Sequence, residues 1–158
     1  MPLEPKPSSA SATEMVQVVL PNDANPMGFM LGGAVMHLID IAGAIAAFRH
    51  AHELMVTAAV DGLEFLNPIR VGDFIVLKAR VTGAFTTSLE VEVTVFSEEA
   101  LTGRRQMTSR AHLTFVTLPR EGARAQVPPL LLETDEEKQQ QLQAGVRRAE
   151  RLARRQKI

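Results

Sequence analysis

The chain contains no cysteine. That excludes a disulfide framework, a thiol nucleophile and any cysteine-ligated metal, and it fits a reducing, cytoplasmic setting. There is also no excess of positive charge. Seventeen basic residues against eighteen acidic ones leave a formal net charge of −1, unlike a protein that grips a phosphate backbone, so no nucleic-acid partner is expected. The first fourteen residues, rich in Pro, Ser and Ala, lack the apolar core of a secretion signal and read as a flexible lead-in. No Gly-x-Ser-x-Gly motif is present to supply a serine nucleophile, and His50, His52 and His112 do not have the spacing of metal ligands, so no metal site is expected.

What the chain does have is length enough for one hydrophobic core, at 158 residues. Its most apolar stretch, Met27 to Phe48, carries one carboxylate, Asp40, and one other strongly polar side chain, His37. A buried charge costs several kcal/mol unless it is paired or hydrogen-bonded, so Asp40 is either a satisfied structural carboxylate or a reactive one. The stretch is long enough to span a bilayer, but a central Asp and four glycines favour a helix buried inside a globular domain, with no membrane insertion.

Pro21 to Pro26 enforces a loop, and Ala34 to His50 follow with helix-tolerant residues, apolar nearly all round, which predicts burial on several sides. Everything from Val56 to Leu118 reads as sheet. Ile75, Leu77, Ala79 and Val81 share one face while Lys78 and Arg80 point away; Leu89, Val91, Val93 and Val95 alternate with outward Glu90, Glu92 and Thr94; Ala111, Leu113 and Phe115 alternate with Arg110, His112 and Thr114. The order predicts an α+β domain over residues 15–128, one long helix against a curved antiparallel sheet. The segment 129–158 reads as a charged helical tail opened by a capping box at Thr134 to Glu137, with five acids and seven bases from Glu133 onward. Its thin apolar stripe, Leu142, Val146, Ala149 and Ala153, predicts weak docking.

Asn25-Pro26-Met27-Gly28, Gly32-Gly33, Asp40-Ile41-Ala42-Gly43, Val56-Thr57, Asp61 to Phe65, Pro68 to Asp73, Ser88 to Val91 and Leu113 to Val116 occur in this order. In that order the chain resembles the hotdog-fold acyl-CoA thioesterases of the YciA type, over about Val16 to Pro128. The resemblance implies a helix wrapped by a sheet, dimers that share a continuous sheet, trimers of such dimers forming a homohexamer, and an active site between subunits.

It also implies hydrolysis of acyl-CoA to a carboxylic acid and coenzyme A, with coenzyme A as part of the substrate and no other cofactor. Asp40 falls on the family's carboxylate and would act as general base on water or as nucleophile. Asn25 matches a position that orients water or substrate, although turn chemistry before Pro26 accounts for it equally. Backbone N–H groups of Gly32 and Gly33 would donate to the carbonyl oxygen, or the glycines serve only close packing. Thr87 and Ser88 would contact coenzyme A, and Phe65, with Ala34, Ala44 and Ala47, would line the acyl pocket. His37 reads as a satisfied core histidine. The chain departs from the pattern before Ser88, where relatives often place an arginine or lysine, so Arg104, Arg105 or Arg120 would have to meet the phosphates; Asn22 also stands where many relatives carry histidine. The alternatives are a non-catalytic acyl-CoA sensor and a hydratase on the same fold, although the paired Asp/His hydration motif is not evident.

Overall fold

The computed structural model describes residues 3–155; Met1, Pro2 and residues 156–158, the outermost ends of the lead-in and the tail, lie outside the described residues. The elements run β1 (Lys6–Pro7), β2 (Thr13–Val18), α1 (Gly32–Ala51), β3 (Met55–Phe65), β4 (Phe74–Ala84), β5 (Ser88–Glu98), β6 (Arg105–Thr117), β7 (Pro119–Arg120), β8 (Ala123–Arg124), β9 (Leu130–Leu131) and α2 (Asp135–Arg155). Five strands form one antiparallel sheet in the order β2-β4-β5-β6-β3.

The alternating residues of the sequence build the core. Ile75, Leu77, Val91, Val93, Leu113 and Phe115 on the inner face of the sheet meet Val35, Leu38, Ile39, Ala42, Ala46 and Ala47 of α1, all buried. At Gly43 the helix comes so close to Phe115 that an added Cβ would lie 3.2 Å from its ring. α1 has the length and hydropathy of a membrane span, yet its inner side is the core of the domain.

The expectation that α1 is buried on several sides is corrected. Only its sheet-facing side is covered; Met36 and Phe48 are exposed, and so are Val56, Val60 and Phe65 of the edge strand β3. The helix is apolar all round because both sides need cover, and one chain covers only one of them.

The lead-in is tied down. β1 pairs with β9, Ser8 and Ser11 are buried, and Ser8 Oγ donates to the Val81 carbonyl at 2.8 Å. Lys6 Nζ donates to the His50 carbonyl at 2.8 Å, and the fully buried His50 ring lies with Nε2 2.7 Å from the Pro128 carbonyl. Burial holds the His50 pKa below its ordinary value, outweighing the hydrogen bond to Pro128. The unfolded chain therefore binds a proton that the folded chain refuses, and stability falls as pH drops through about 6.5, by no more than about 1.4 kcal/mol per pH unit for one proton. Urea midpoints at pH 7.5 and 5.5 should show this loss, and His50→Gln should reduce the difference between them.

The tail is corrected as well. α2 docks firmly, and with its polar face. Its capping box forms as read, with the Glu137 N–H donating to Thr134 Oγ1 at 3.1 Å and the Glu133 N–H donating to the Glu137 carboxylate at 2.9 Å. Beyond the cap, Gln141, Ala144, Arg147 and Arg151 face the sheet, while Leu142 and Val146 are left exposed. Ala144 packs so tightly on Gly83 that a Cβ added at Gly83 would lie 2.5 Å from the Ala144 Cβ. Gly83→Ala is expected to push α2 off the sheet, read as lost helical ellipticity and faster proteolysis after Glu133.

Candidate active site

Asp40 lies on the outward side of α1, exposed in the single chain, where the helix borders β3. Thr57 Oγ1 donates to its Oδ1 at 2.5 Å. One carboxylate oxygen is thereby held and the other left open. Thr57 is aimed by the local backbone: the pairing of β3 with β6 slips at Ala58, placing a β-bulge directly after it, a device that redirects side chains beside functional sites. Thr57 belongs to the Val56-Thr57 motif but had no role from sequence, because nothing in the chain order shows that residues 17 apart meet.

His37, expected in the core, is instead exposed on α1 one turn before Asp40. Nor is Asp40 dry in the isolated chain, and the reason is the same: the outward face of α1 is uncovered.

Gly32 and Gly33 open α1. The first helical bond runs from the Val35 N–H to the Leu31 carbonyl at 3.1 Å, leaving the N–H groups of residues 32–34 without intrahelical acceptors. These donors stand six to eight residues before Asp40, about 9 to 12 Å along the helix axis, too far for both to touch one carbonyl group. Asn25 sits in the loop at this same end. Its Oδ1 accepts from the Met27 and Phe29 N–H groups at 3.0 and 3.2 Å, which is the turn chemistry, and its Nδ2 has no partner among the described residues. Phe65 closes over the helix start, its ring 3.3 Å from a Cβ added at Gly32, and with Met30, Val35, Leu66 and Pro68 it lines a cavity of about 370 Å³. Ala47 is buried beneath the sheet and is excluded from any acyl pocket; Ala34 and Ala44 are half-buried.

The two halves of the expected machinery are thus separated within one chain: Asp40 and Thr57 in mid-helix, Asn25, Gly32, Gly33 and Phe65 at the helix start. A third group stands on the other face of the sheet, where Thr87 and the buried Ser88 open strand β5 beside Arg124, Arg148, Arg151 and Arg155. The arginines expected at this point do not reach it. Arg105 pairs with Glu98 at 2.7 Å at the opposite end of β5, about 33 Å from Ser88 at the rise of a strand. Arg104 lies in the same distant turn, and Arg120, on the β7–β8 hairpin, does not line the cavity.

A twenty-residue helix laid in the hollow of a curved antiparallel sheet, with a carboxylate at the helix–strand seam, defines a hotdog-fold protein. The chain belongs to the thioesterase superfamily, whose family model matches residues 27–104. It is 40% identical over 119 residues to YkhA, an uncharacterized acyl-CoA thioester hydrolase of Bacillus subtilis, covering 75% of this chain and 69% of YkhA. The human cytosolic acyl coenzyme A thioester hydrolase is 36% identical over 85% of this chain, which spans only 36% of that relative's length.

Among solved structures, an acyl-CoA hydrolase of Bacillus cereus superposes with a TM-score of 0.90 at 30% identity, covering 98% of this chain and 94% of the other. One from Staphylococcus aureus, solved with butyryl coenzyme A, coenzyme A and coenzyme A disulfide, gives 0.86 at 36% identity, covering 96% and 93%. A hexameric acyl-CoA thioesterase gives 0.89 at 36% identity, covering 96% and 97%. The Staphylococcus aureus hydrolase has also been solved with an asparagine, an aspartate or a threonine replaced by alanine, at positions 15 and 17 residues apart in that order. Asn25, Asp40 and Thr57 have the same spacings here.

Proposed function

We propose that this protein is an acyl-CoA thioesterase, hydrolysing acyl-CoA to a free carboxylic acid and coenzyme A, with Asp40 as the reactive carboxylate. The observation that carries the role of Asp40 is its hydrogen bond from Thr57 at the seam of α1 and β3, inside the region the family model matches. Water adds to the thioester carbonyl, the carbon–sulfur bond breaks, and the proton from water ends on the departing thiolate. Asp40 either takes that proton from water or attacks the carbonyl itself, forming an anhydride that water then opens. A single turnover in isotopically labelled water separates the two: label entering the Asp40 side chain requires the anhydride.

Thr57 is a positioning residue, fixing one oxygen of Asp40 so that the other faces the substrate. Thr57→Val is expected to lower kcat about ten-fold or more with little change in KM, and Thr57→Ser to restore it. An equal rise in KM would mean that Thr57 serves binding instead.

The working unit is a homodimer, and dimers assemble further into a hexamer. The support is physical: the outward side of α1 and the open edge of β3 expose Met36, Phe48, Val56 and Val60 around Asp40, and an apolar edge strand of this length invites pairing. A two-fold partner laid on this face would bring its own helix start, with the N–H groups of its glycines and its Asn25 amide, toward the Asp40 that is too distant in the same chain. It would also shield Asp40 from bulk water, and Phe65 would border the acyl group. Nothing in this arrangement calls for a cofactor beyond the coenzyme A of the substrate, and a cytoplasmic location suits it. A release assay for free thiol across acyl chain lengths tests the reaction. Bound coenzyme A ester without thiol release would turn the reading to a non-catalytic sensor.

A further inference from the structure

Two buried side-chain polar atoms have no hydrogen-bond partner among the described residues, His50 Nδ1 and Ser109 Oγ. The His50 ring is engaged through its other nitrogen; the Ser109 hydroxyl has nothing. Ser109 lies on β6 in phase with Ala111, Leu113 and Phe115, on the face that packs against α1, and is fully buried. It pairs across the sheet with Val95 of β5 and Phe65 of β3, and residues so paired point to the same side. Since the Phe65 ring reaches over Gly32, the Ser109 side chain points inward beneath that ring, toward the first turn of α1. The pairing of β6 with β5 slips at Thr108, so a bulge stands directly before Ser109, as one stands directly after Thr57.

Ser109 borders the cavity of about 370 Å³ at the helix start, whose walls are otherwise mainly apolar. The other polar side chains there have spent their donors on the strands: Thr108 Oγ1 donates to the Val95 carbonyl at 3.2 Å and Asn67 Nδ2 to the Met107 carbonyl at 2.9 Å. An unpaired hydroxyl in an apolar surround costs free energy that an alanine in its place would not. It can both donate and accept, so its complement is one oxygen arriving among carbon atoms. In the thioesterase reading, the N–H groups of the same helix start meet the thioester oxygen. The acyl chain that follows then runs into this cavity, past Phe65, with Ser109 at its floor.

We propose that Ser109 is a specificity residue that selects acyl groups bearing a hydroxyl or carbonyl oxygen beyond the thioester, over plain alkyl chains of the same length. The inference rests on the thioesterase reading and names its substrate class. A site built around a hydrogen bond discriminates against the analogue that lacks the oxygen, because the buried protein group is then left unpaired.

The test measures kcat/KM for β-hydroxybutyryl-CoA and acetoacetyl-CoA, each against butyryl-CoA, in the full chain and in its Ser109→Ala variant. The ratio of oxygenated to plain substrate should fall about five-fold or more in the variant for at least one of the two, and which one falls tells whether the oxygen is a hydroxyl or a carbonyl. Comparing the variant with the parent cancels the intrinsic reactivity of each thioester. The thermal midpoint should hold or rise, since an unpaired hydroxyl has left the core. Both ratios unchanged overturn the proposal, and so does an equal loss on all three substrates, which would make Ser109 structural. Should Ser109→Ala fail to fold, Ser109→Cys, close in shape but a weaker donor, carries the same comparison, followed by loss of thioester absorbance. If the parent hydrolyses none of the three, the hydrolase reading fails by itself. The proposal is then decided by calorimetry: a five-fold Ser109-dependent preference in Kd for an oxygenated acyl-CoA upholds it, and none overturns it.

Discussion

Asp40→Asn should reduce acyl-CoA turnover at least about 100-fold, the scale on which loss of a positioned base or nucleophile is felt. Asparagine keeps the shape of the side chain and can still accept from Thr57 through its amide oxygen, so the seam between α1 and β3 should hold. It can neither take a proton from water nor form an anhydride. The far-ultraviolet spectrum, the thermal midpoint and the mass in solution should all match the parent. Turnover within a few-fold of the parent would remove Asp40 from the chemistry. A variant that falls apart into monomers would instead make the carboxylate part of the interface, and the activity loss would then track subunit concentration.

The largest expected change in stability comes from Arg147→Ala. The Glu90 carboxylate is buried on the outer face of the sheet, where Oε1 accepts from Thr82 Oγ1 at 2.7 Å and from Arg147 Nη2 at 2.8 Å, and Oε2 accepts from Arg147 Nε at 2.8 Å. Removing the arginine leaves a charge sealed beneath α2 with one hydroxyl donor. Breaking such a pair from one side costs about 3 to 5 kcal/mol, which for a domain of this size lowers Tm by about 10 °C at matched protein concentration. The control is the joint replacement Glu90→Leu with Arg147→Met, which removes both charges together and should recover most of the loss. A fall of only about 1 °C in the single variant would mean that water reaches Glu90 and that α2 is held by Ala144 on Gly83.

The strands were legible because each inner face repeats every second residue. Val91, Val93 and Val95 can point only one way once Glu92 and Thr94 point the other. Glu90 broke that rule, since alternation put it in solvent and the structure buries it. No local pattern reveals that Arg147, 57 residues later on α2, will cover the outer face. The tail failed for a related reason. An apolar stripe signals docking when burial drives it, whereas α2 is held by guanidinium–carboxylate pairs and by the absence of a side chain at Gly83, leaving Leu142 and Val146 outside.

Among the site residues, Asp40 stood out because a charge in an apolar helix has to be explained. Thr57 did not, being one of many threonines in strands. Asn25 was readable in both its senses, and the structure gives its oxygen to the turn while leaving its amide open. Basic partners for Thr87 and Ser88 were expected among the arginines that follow β5 along the chain, but Arg105 pairs with Glu98 at the opposite end of that strand.

The sequence by itself determined the long helix, the main strands and the family, and it singled out Asp40. Those depend on periodicity, on chain order and on the cost of an isolated charge, all of which are local properties. Only the tertiary structure decided which side of α1 is covered, which face of α2 docks, and that the basic end of the chain folds back over Thr87 and Ser88. Such choices are set by groups that meet across long stretches of chain, where an ion pair or a missing Cβ outweighs the local pattern.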